Sequence, residues 1–330
     1  MTPFQEIRNK CIKPRRKKMT MVDWFMMSTE EVLEIFAKLP SAQKIGTGDE
    51  QFVYIPGNRK DRVLLVAHAD TTHTKKVDIG YYNGMYLSRD DQVGIGADDR
   101  AGCNILWKLK DLGHSLLIPN AEEKGCKGSR FLMQSKEWAE EMAKHQFAMQ
   151  FDRKNAKNLV MYDVGSDPFT KWLEAEMLGY KKEFGTSTDI KVLLDKTKHK
   201  DYISPCGVNV SIGYYNEHTP TEHLKIKEWN STLSHAYNLL VKNDLPAFKQ
   251  EIEAWRRHGY YNPNNFYNNN CGSHNHNEYS QVSTKPTVIE KESICVLIDK
   301  FLRCPACHLI FDEAEIEFGK RICPSCSKEV

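Results

Sequence analysis

The sequence predicts an α/β fold: a three-layer sandwich with a mostly parallel, mixed central sheet flanked by helices, followed by a small cysteine-bearing module. Three observations carry the prediction. Short apolar runs alternate with helix-period segments over residues 51–250. At least one run is apolar on both faces, as a strand covered from both sides must be. Two Cys-x-x-Cys pairs close the chain.

Residues 1–27 read as a basic arm, whose run at 10–18 (KCIKPRRKK) is taken as solvated surface. Ser28 then caps a helix over 28–39, with Glu31 three residues on completing a capping box. Strands are expected at 52–55 and 63–67, the second in the middle of the sheet. A helix at 99–112, a strand at 115–119, a helix at 129–144 and a strand at 147–151 follow. The remaining elements are a strand at 159–162, a helix at 167–180, a strand at 208–212 and a helix at 226–243. The catalytic unit is thus expected to occupy 28–255. Residues 256–292 read as a flexible linker, because 259–281 hold eight asparagines and four tyrosines and almost no aliphatic side chain.

Bulk properties narrow the class. Hydrophobic residues at 40% and charged residues at 27% are ordinary for a soluble globular protein. A formal charge of +2 gives no global reason to expect nucleic acid or a membrane surface as partner. No apolar run approaches the roughly 18 residues that span a bilayer. The N-terminus shows no apolar segment of the secretion-signal kind. Cys11, Cys103, Cys126, Cys206, Cys271 and Cys295 lack framework spacing, which points to a reducing compartment, and a cytoplasmic location is expected.

Functional residues of parallel sheets collect in loops past the C-terminal strand ends. Five such places carry metal-ligating chemistry. They are His68-Ala69-Asp70, Gly96-Ala97-Asp98-Asp99-Arg100-Ala101-Gly102, Glu122-Glu123, Asp152, and His218-Thr219-Pro220-Thr221-Glu222. Each alone is weak; together they place several carboxylates at one sheet edge, an arrangement heavily unfavourable without cations. Two divalent ions would satisfy it, with one glutamate left free as a general base.

In order and spacing these motifs resemble the co-catalytic zinc aminopeptidases, carboxypeptidases and deacylases, tripeptidase-like and leucyl aminopeptidase-like members above all. The resemblance spans about residues 50–245. It implies that Asp98 bridges two zinc ions, that His68 and Asp152 complete one site, and that Glu123 and His218 complete the other. Cobalt and manganese fit the same mixed ligands. It further implies Glu122 as general base for a water activated by the ions, Asp70 as the group orienting His68, and a cis bond between Asp98 and Asp99. Ser187 and Asp189 fall where relatives carry substrate-contacting loops, although the segment 185–189 also reads as an ordinary glycine-containing turn. His73 and His223 lie off the motifs and read as neighbours of the ligands or surface groups. Many relatives insert a lid domain between the fourth and fifth ligands. Here Asp152 and His218 are 66 positions apart, so no lid is expected.

Substrate choice stays open between a peptide cleaved at its N-terminus and an N-acylated small amine. A non-catalytic scaffold is the third reading, though it predicts decay of a ligand set that is complete here. The tail, residues 293–330, reads as a zinc ribbon. Cys304, Cys307, Cys323 and Cys326 form two knuckles with 15 residues between them, enough for a closed tetrahedral structural zinc. Strands are expected at 301–303 and 321–322. Such a ribbon could dock a protein partner; its acidic hairpin argues against nucleic acid.

Overall fold

Ser28 does cap the first predicted helix. Its hydroxyl accepts from the Glu31 N–H at 3.2 Å, and its own N–H donates to the Glu31 carboxylate at 2.7 Å. That helix is α2 (Thr29–Ala37), and it buries Val32, Leu33 and Phe36. In this computed structural model, residues 4–5, 20–73, 75, 77–195, 203–250, 301–303 and 310–312 are described.

A helix precedes it. In α1 (Met21–Met26) the residues Met21, Val22, Trp24 and Phe25 are buried, so the folded unit begins inside the stretch read as an arm. The apolar segment follows directly on the basic run, which masked it. Trp24 packs on Phe36 and Trp107 with ring centroids 5.8 and 6.0 Å away. The buried guanidinium of Arg100 ties this region to the sheet, donating to the carbonyls of both Met27 and Ala69.

The strands in chain order are β1 (Gln43–Thr47), β2 (Glu50–Ile55), β3 (Leu64–Val66), β4 (Ile79–Tyr82), β5 (Met85–Ser88) and β6 (Ser115–Pro119). They continue with β7 (Ala148–Arg153), β8 (Asn158–Val160), β9 (Lys181–Glu183), β10 (Gly207–Ser211), β11 (Tyr214–Tyr215) and β12 (His223–Lys225). Eight of them form one sheet in the order β1-β2-β6-β3-β7-β10-β8-β9. The four central strands β6, β3, β7 and β10 are mutually parallel, while β1, β2 and β8 join antiparallel. The mixed, mostly parallel sheet expected from the alternation is present, and β3 lies inside it.

Helices cover both faces, giving three layers. Alternation along β3 shows why: Leu65 belongs to one buried cluster, and Leu64 and Val66 to the other. The first cluster includes Leu106 and Leu109 of α3 (Ala97–Leu109) and Trp229 and Leu233 of α8 (Ile226–Leu240). The second includes Leu132 of α4 (Lys127–Leu132), Met142 of α5 (Lys136–Ala143) and Ile190 of α7 (Asp189–Leu193). Helix α6 (Asp167–Glu176) contributes Phe169 and Leu173 to the first.

Other features differ from expectation as well, among them the edge strands β1 and β9, which were not expected. The continuous helix at 129–144 is two helices, α4 and α5, because the Ser135 hydroxyl accepts from the Trp138 N–H and starts a new one. A second sheet, β11-β12-β5-β4, packs beside the first. Its hairpin turns at Asn83-Gly84, where both φ angles are positive (51° and 79°).

At the tail, β13 (Phe301–Arg303) pairs antiparallel with β14 (Ile310–Asp312), Phe301 opposite Asp312. The first of these is the strand expected before Cys304. The linker at 256–292 and all four knuckle cysteines lie outside the described residues. No helix among the described residues is long and apolar enough to cross a membrane.

Candidate metal centre

Five segments bring their ligating groups to the same edge of the sheet. His68 and Asp70 follow β3, Asp98 opens α3, Glu122 and Glu123 follow β6, Asp152 ends β7, and His218 lies between β11 and β12. The order of parallel strands dictates this meeting, since their C-terminal ends point the same way.

His68 is buried, and its Nδ1 lies 3.2 Å from Asp70 Oδ1. Asp70 is fixed in turn by the N–H groups of Glu122 and Glu123, at 3.0 and 3.2 Å. Donation from Nδ1–H to Asp70 leaves the Nε2 lone pair facing inward. That nitrogen lies 3.1 Å from Asp98 Oδ1 and 3.5 Å from Asp152 Oδ1. The second oxygen of Asp98 lies 3.2 Å from His218 Nε2, which is 2.7 Å from Glu123 Oε1. Asp98 therefore stands between two imidazoles, each with a further carboxylate of its own.

Asp152 is held from behind. Its Oδ2 accepts from Gln150 Nε2 at 2.7 Å and from the Thr188 hydroxyl at 2.9 Å, while Tyr214 donates to Oδ1 at 3.3 Å. Asp99 is close as well: its ligand atom, with those of His68 and Asp152, fits within 4.8 Å, as do those of His68, Asp98 and Glu123. Both Asp99 oxygens, however, accept backbone N–H groups, from His68 at 3.1 Å and Gly102 at 3.0 Å. Asp98 is the one that faces the imidazoles. The Asp98–Asp99 peptide bond is cis. Gly102 is required by close approach, since a Cβ there would sit 1.9 Å from the Phe151 carbonyl oxygen.

The charges are strongly coupled. Burial acts to lower His68, but the carboxylates of Asp152, Asp70 and Asp98 hold it well above the usual imidazole range. Hydrogen bonds to Asp98 and Glu123 raise His218 to about 10. Burial opposes ionisation of Asp98, yet the two imidazoles bring it below the ordinary carboxylate range. Asp152 is pushed up to about 6 by burial, with Asp98 adding to the effect. Burial, then the carboxylates of Asp152, Asp189 and Asp98, push Glu122 up to about 8 against the pull of His68.

Imidazole lone pairs aimed at carboxylate oxygens repel unless a proton or a cation lies between them. Asp70 already claims the Nδ1 proton of His68, so Nε2 suits a cation. Nitrogen and carboxylate oxygen are the donors zinc and its neighbours take, and several acids around two imidazoles match divalent charge. The residues fit a pair of divalent ions.

Glu122 makes no hydrogen bond to either imidazole; the Cys126 thiol approaches its Oε1 at 3.7 Å. Ser187 is exposed in the loop before α7. Asp189 is fully buried beside the Ser129 hydroxyl, with neither oxygen in an aligned hydrogen bond, and burial pushes it up to about 7. His223 stacks on Tyr215, ring centroids 5.4 Å apart.

Some participants carry no local signal. Gln150, Thr188 and Tyr214 hold Asp152 and look like ordinary strand and loop residues in the sequence. Glu222 ends the His218 motif and is fully buried. Its Oε2 accepts from the Gly96 N–H at 2.6 Å and its Oε1 from the Asp98 N–H at 3.0 Å. His73 Nε2 lies 3.2 Å from Oε2 without aligning as a hydrogen bond.

No curated protein matches the chain. A tripeptidase from Staphylococcus aureus superimposes with a TM-score of 0.51 at 11% identity, covering 72% of this chain and 98% of that one. Aminopeptidase PepT from Bacillus cereus gives 0.49 at 11% identity, with the same 72% and 98%. At such identity the tripeptidase speaks for the fold alone. The profile of peptidase family M28 matches residues 52–241, from β2 through the end of α8, and takes in all five segments that meet at the sheet edge. The chain belongs to peptidase family M28, and is a hydrolase of the metallopeptidase type.

Proposed function

We propose that the chain is an aminopeptidase that cleaves the first amide bond of a peptide. The observation that carries the reading is Asp98, whose two oxygens face the Nε2 atoms of His68 and His218 at 3.1 and 3.2 Å. His68, Asp98 and Asp152 would hold one zinc, and Asp98, Glu123 and His218 the other; cobalt or manganese would suit the same donors. When bound, such a pair acidifies water and polarises a carbonyl oxygen.

The chain's own groups do the rest. Asp70 keeps the His68 ring in one tautomer and, through the two N–H groups it accepts, fixes where Glu122 stands. Glu122 takes a proton from the attacking water on its carboxylate and returns it to the departing amine. Ser187, exposed in the loop before α7, would border the substrate, whereas Asp189 is fully buried and would not touch it. In the tail, Cys304, Cys307, Cys323 and Cys326 hold a structural zinc, and the β13–β14 pairing around the first two cysteines supports that reading. The ribbon would offer a protein-docking surface, and the work would be done in the cytoplasm.

A paired panel tests the choice of substrate. Aminoacyl para-nitroanilides with a free amine are expected to be hydrolysed, and the same compounds N-acetylated are not. Turnover of the acylated series alone would replace the aminopeptidase with a deacylase.

A further inference from the structure

We infer that Glu222 is a positioning residue that sets Asp98 and His218 in register, and thereby governs occupation of the second of the two cation sites. The inference rests on the two-cation reading above and adds a residue to it that touches neither ion.

Its geometry is that of a staple. The carboxylate is fully buried, and both oxygens are engaged by the backbone of the Asp98 loop, at Gly96 and at Asp98 itself. That loop presses directly on it: a Cβ at Gly94 would lie 2.3 Å from His73 Nε2, 2.6 Å from the Thr219 carbonyl oxygen and 2.7 Å from Glu222 Oε2. Gly96 sits in the left-handed region at φ 68°, the turn that aims its N–H at the carboxylate. Three ligand-bearing segments meet here. His73 belongs to the loop of His68, Gly94 to Asp98 to the bridging loop, and Glu222 lies four residues beyond His218.

The two cation sites depend on this staple unequally. His68 and Asp152 have supports of their own, in Asp70 and in Gln150, Thr188 and Tyr214. His218 is 45% exposed at its side chain and sits at φ 61°; outside its own segment its ring meets the carboxylates of Glu123 and Asp98, at 2.7 and 3.2 Å, and among the described residues it has no separate support of the kind Asp70 gives His68. Loss of the staple therefore loosens Asp98 and His218 together, two of the three ligands of the second site, and one of the three of the first.

The probe is manganese, a hard ion that oxygen and imidazole donors hold and thiolates do not favour, titrated calorimetrically into the chelator-treated full chain. Glu222→Gln keeps size but turns an amide NH2 toward a backbone N–H. We expect the weaker manganese site to lose about 10–100-fold in affinity, the range seen when residues behind a ligand are removed, with the tighter site little changed. Turnover at saturating manganese should fall in kcat with KM preserved, and Glu222→Asp, which keeps the charge, should recover part of both. His73→Gln removes the ring 3.2 Å behind Glu222 Oε2 and so loosens the staple without removing its carboxylate; it should give the same selective loss to a smaller degree and serves if the Glu222 variants do not fold.

Wild-type affinity at both sites in Glu222→Gln overturns the inference and leaves the two-cation reading standing. So does equal loss at both sites in step with a lowered melting temperature of the metal-free protein, for that is the behaviour of a structural prop. A wild-type chain that binds no manganese overturns both.

Discussion

Glu122→Gln is expected to lower kcat by about 10²–10⁴-fold while leaving two ions in the centre, the loss that follows removal of a positioned general base. The substitution is close to isosteric and spares the backbone N–H that donates to Asp70 at 3.0 Å. Neither imidazole is hydrogen-bonded to this side chain, so ion binding does not depend on it. What disappears is an acceptor for the water proton, since an amide cannot serve as one. Steady-state kinetics on a para-nitroanilide beside metal analysis of the same preparation checks this. Loss of the ions along with activity would make Glu122 a ligand instead.

Asp98→Asn is expected to remove one ion outright and to lower kcat/KM by more than ~10²-fold. Even groups behind a ligand are worth 10–100-fold, and the two oxygens of Asp98 face the two imidazoles, one each. An asparagine presents one oxygen, so one of the two Nε2 atoms meets an NH2 group instead. The site with the better independent support, that of His68 and Asp152, is expected to retain its ion. Ion counting after dialysis reads the result. Two ions retained at wild-type affinity would exclude Asp98 as the bridge.

Much of this centre was legible in the sequence because the physics that places it is local. A strand such as Ser115–Pro119 is five residues long and buried throughout, so its bounds coincide with its apolar run. The acidic pair that follows must then lie at the sheet edge, and the same holds for His68 after β3 and Asp152 at the end of β7. Elements decided by competing local signals were harder to place. Periodicity runs through 129–144, but the Ser135 cap divides it. The β4–β5 hairpin carries a signal of its own, Asn-Gly between apolar and aromatic residues, but its strands are only four residues each. The strands β11 and β12 are two and three residues long, too short for any pattern. Glu222 stands at the far limit. It sits in a motif, but its work depends on loops that come together only in the folded chain.

The most direct measurement is anomalous scattering at the zinc edge from crystals of the full chain grown with zinc. Two peaks should flank the Asp98 carboxylate about 3.5–4 Å apart, one against His68 and Asp152 and the other against Glu123 and His218. A single peak there, or none, with scattering confined to the C-terminal cysteines, would contradict the two-ion centre and the chemistry drawn from it.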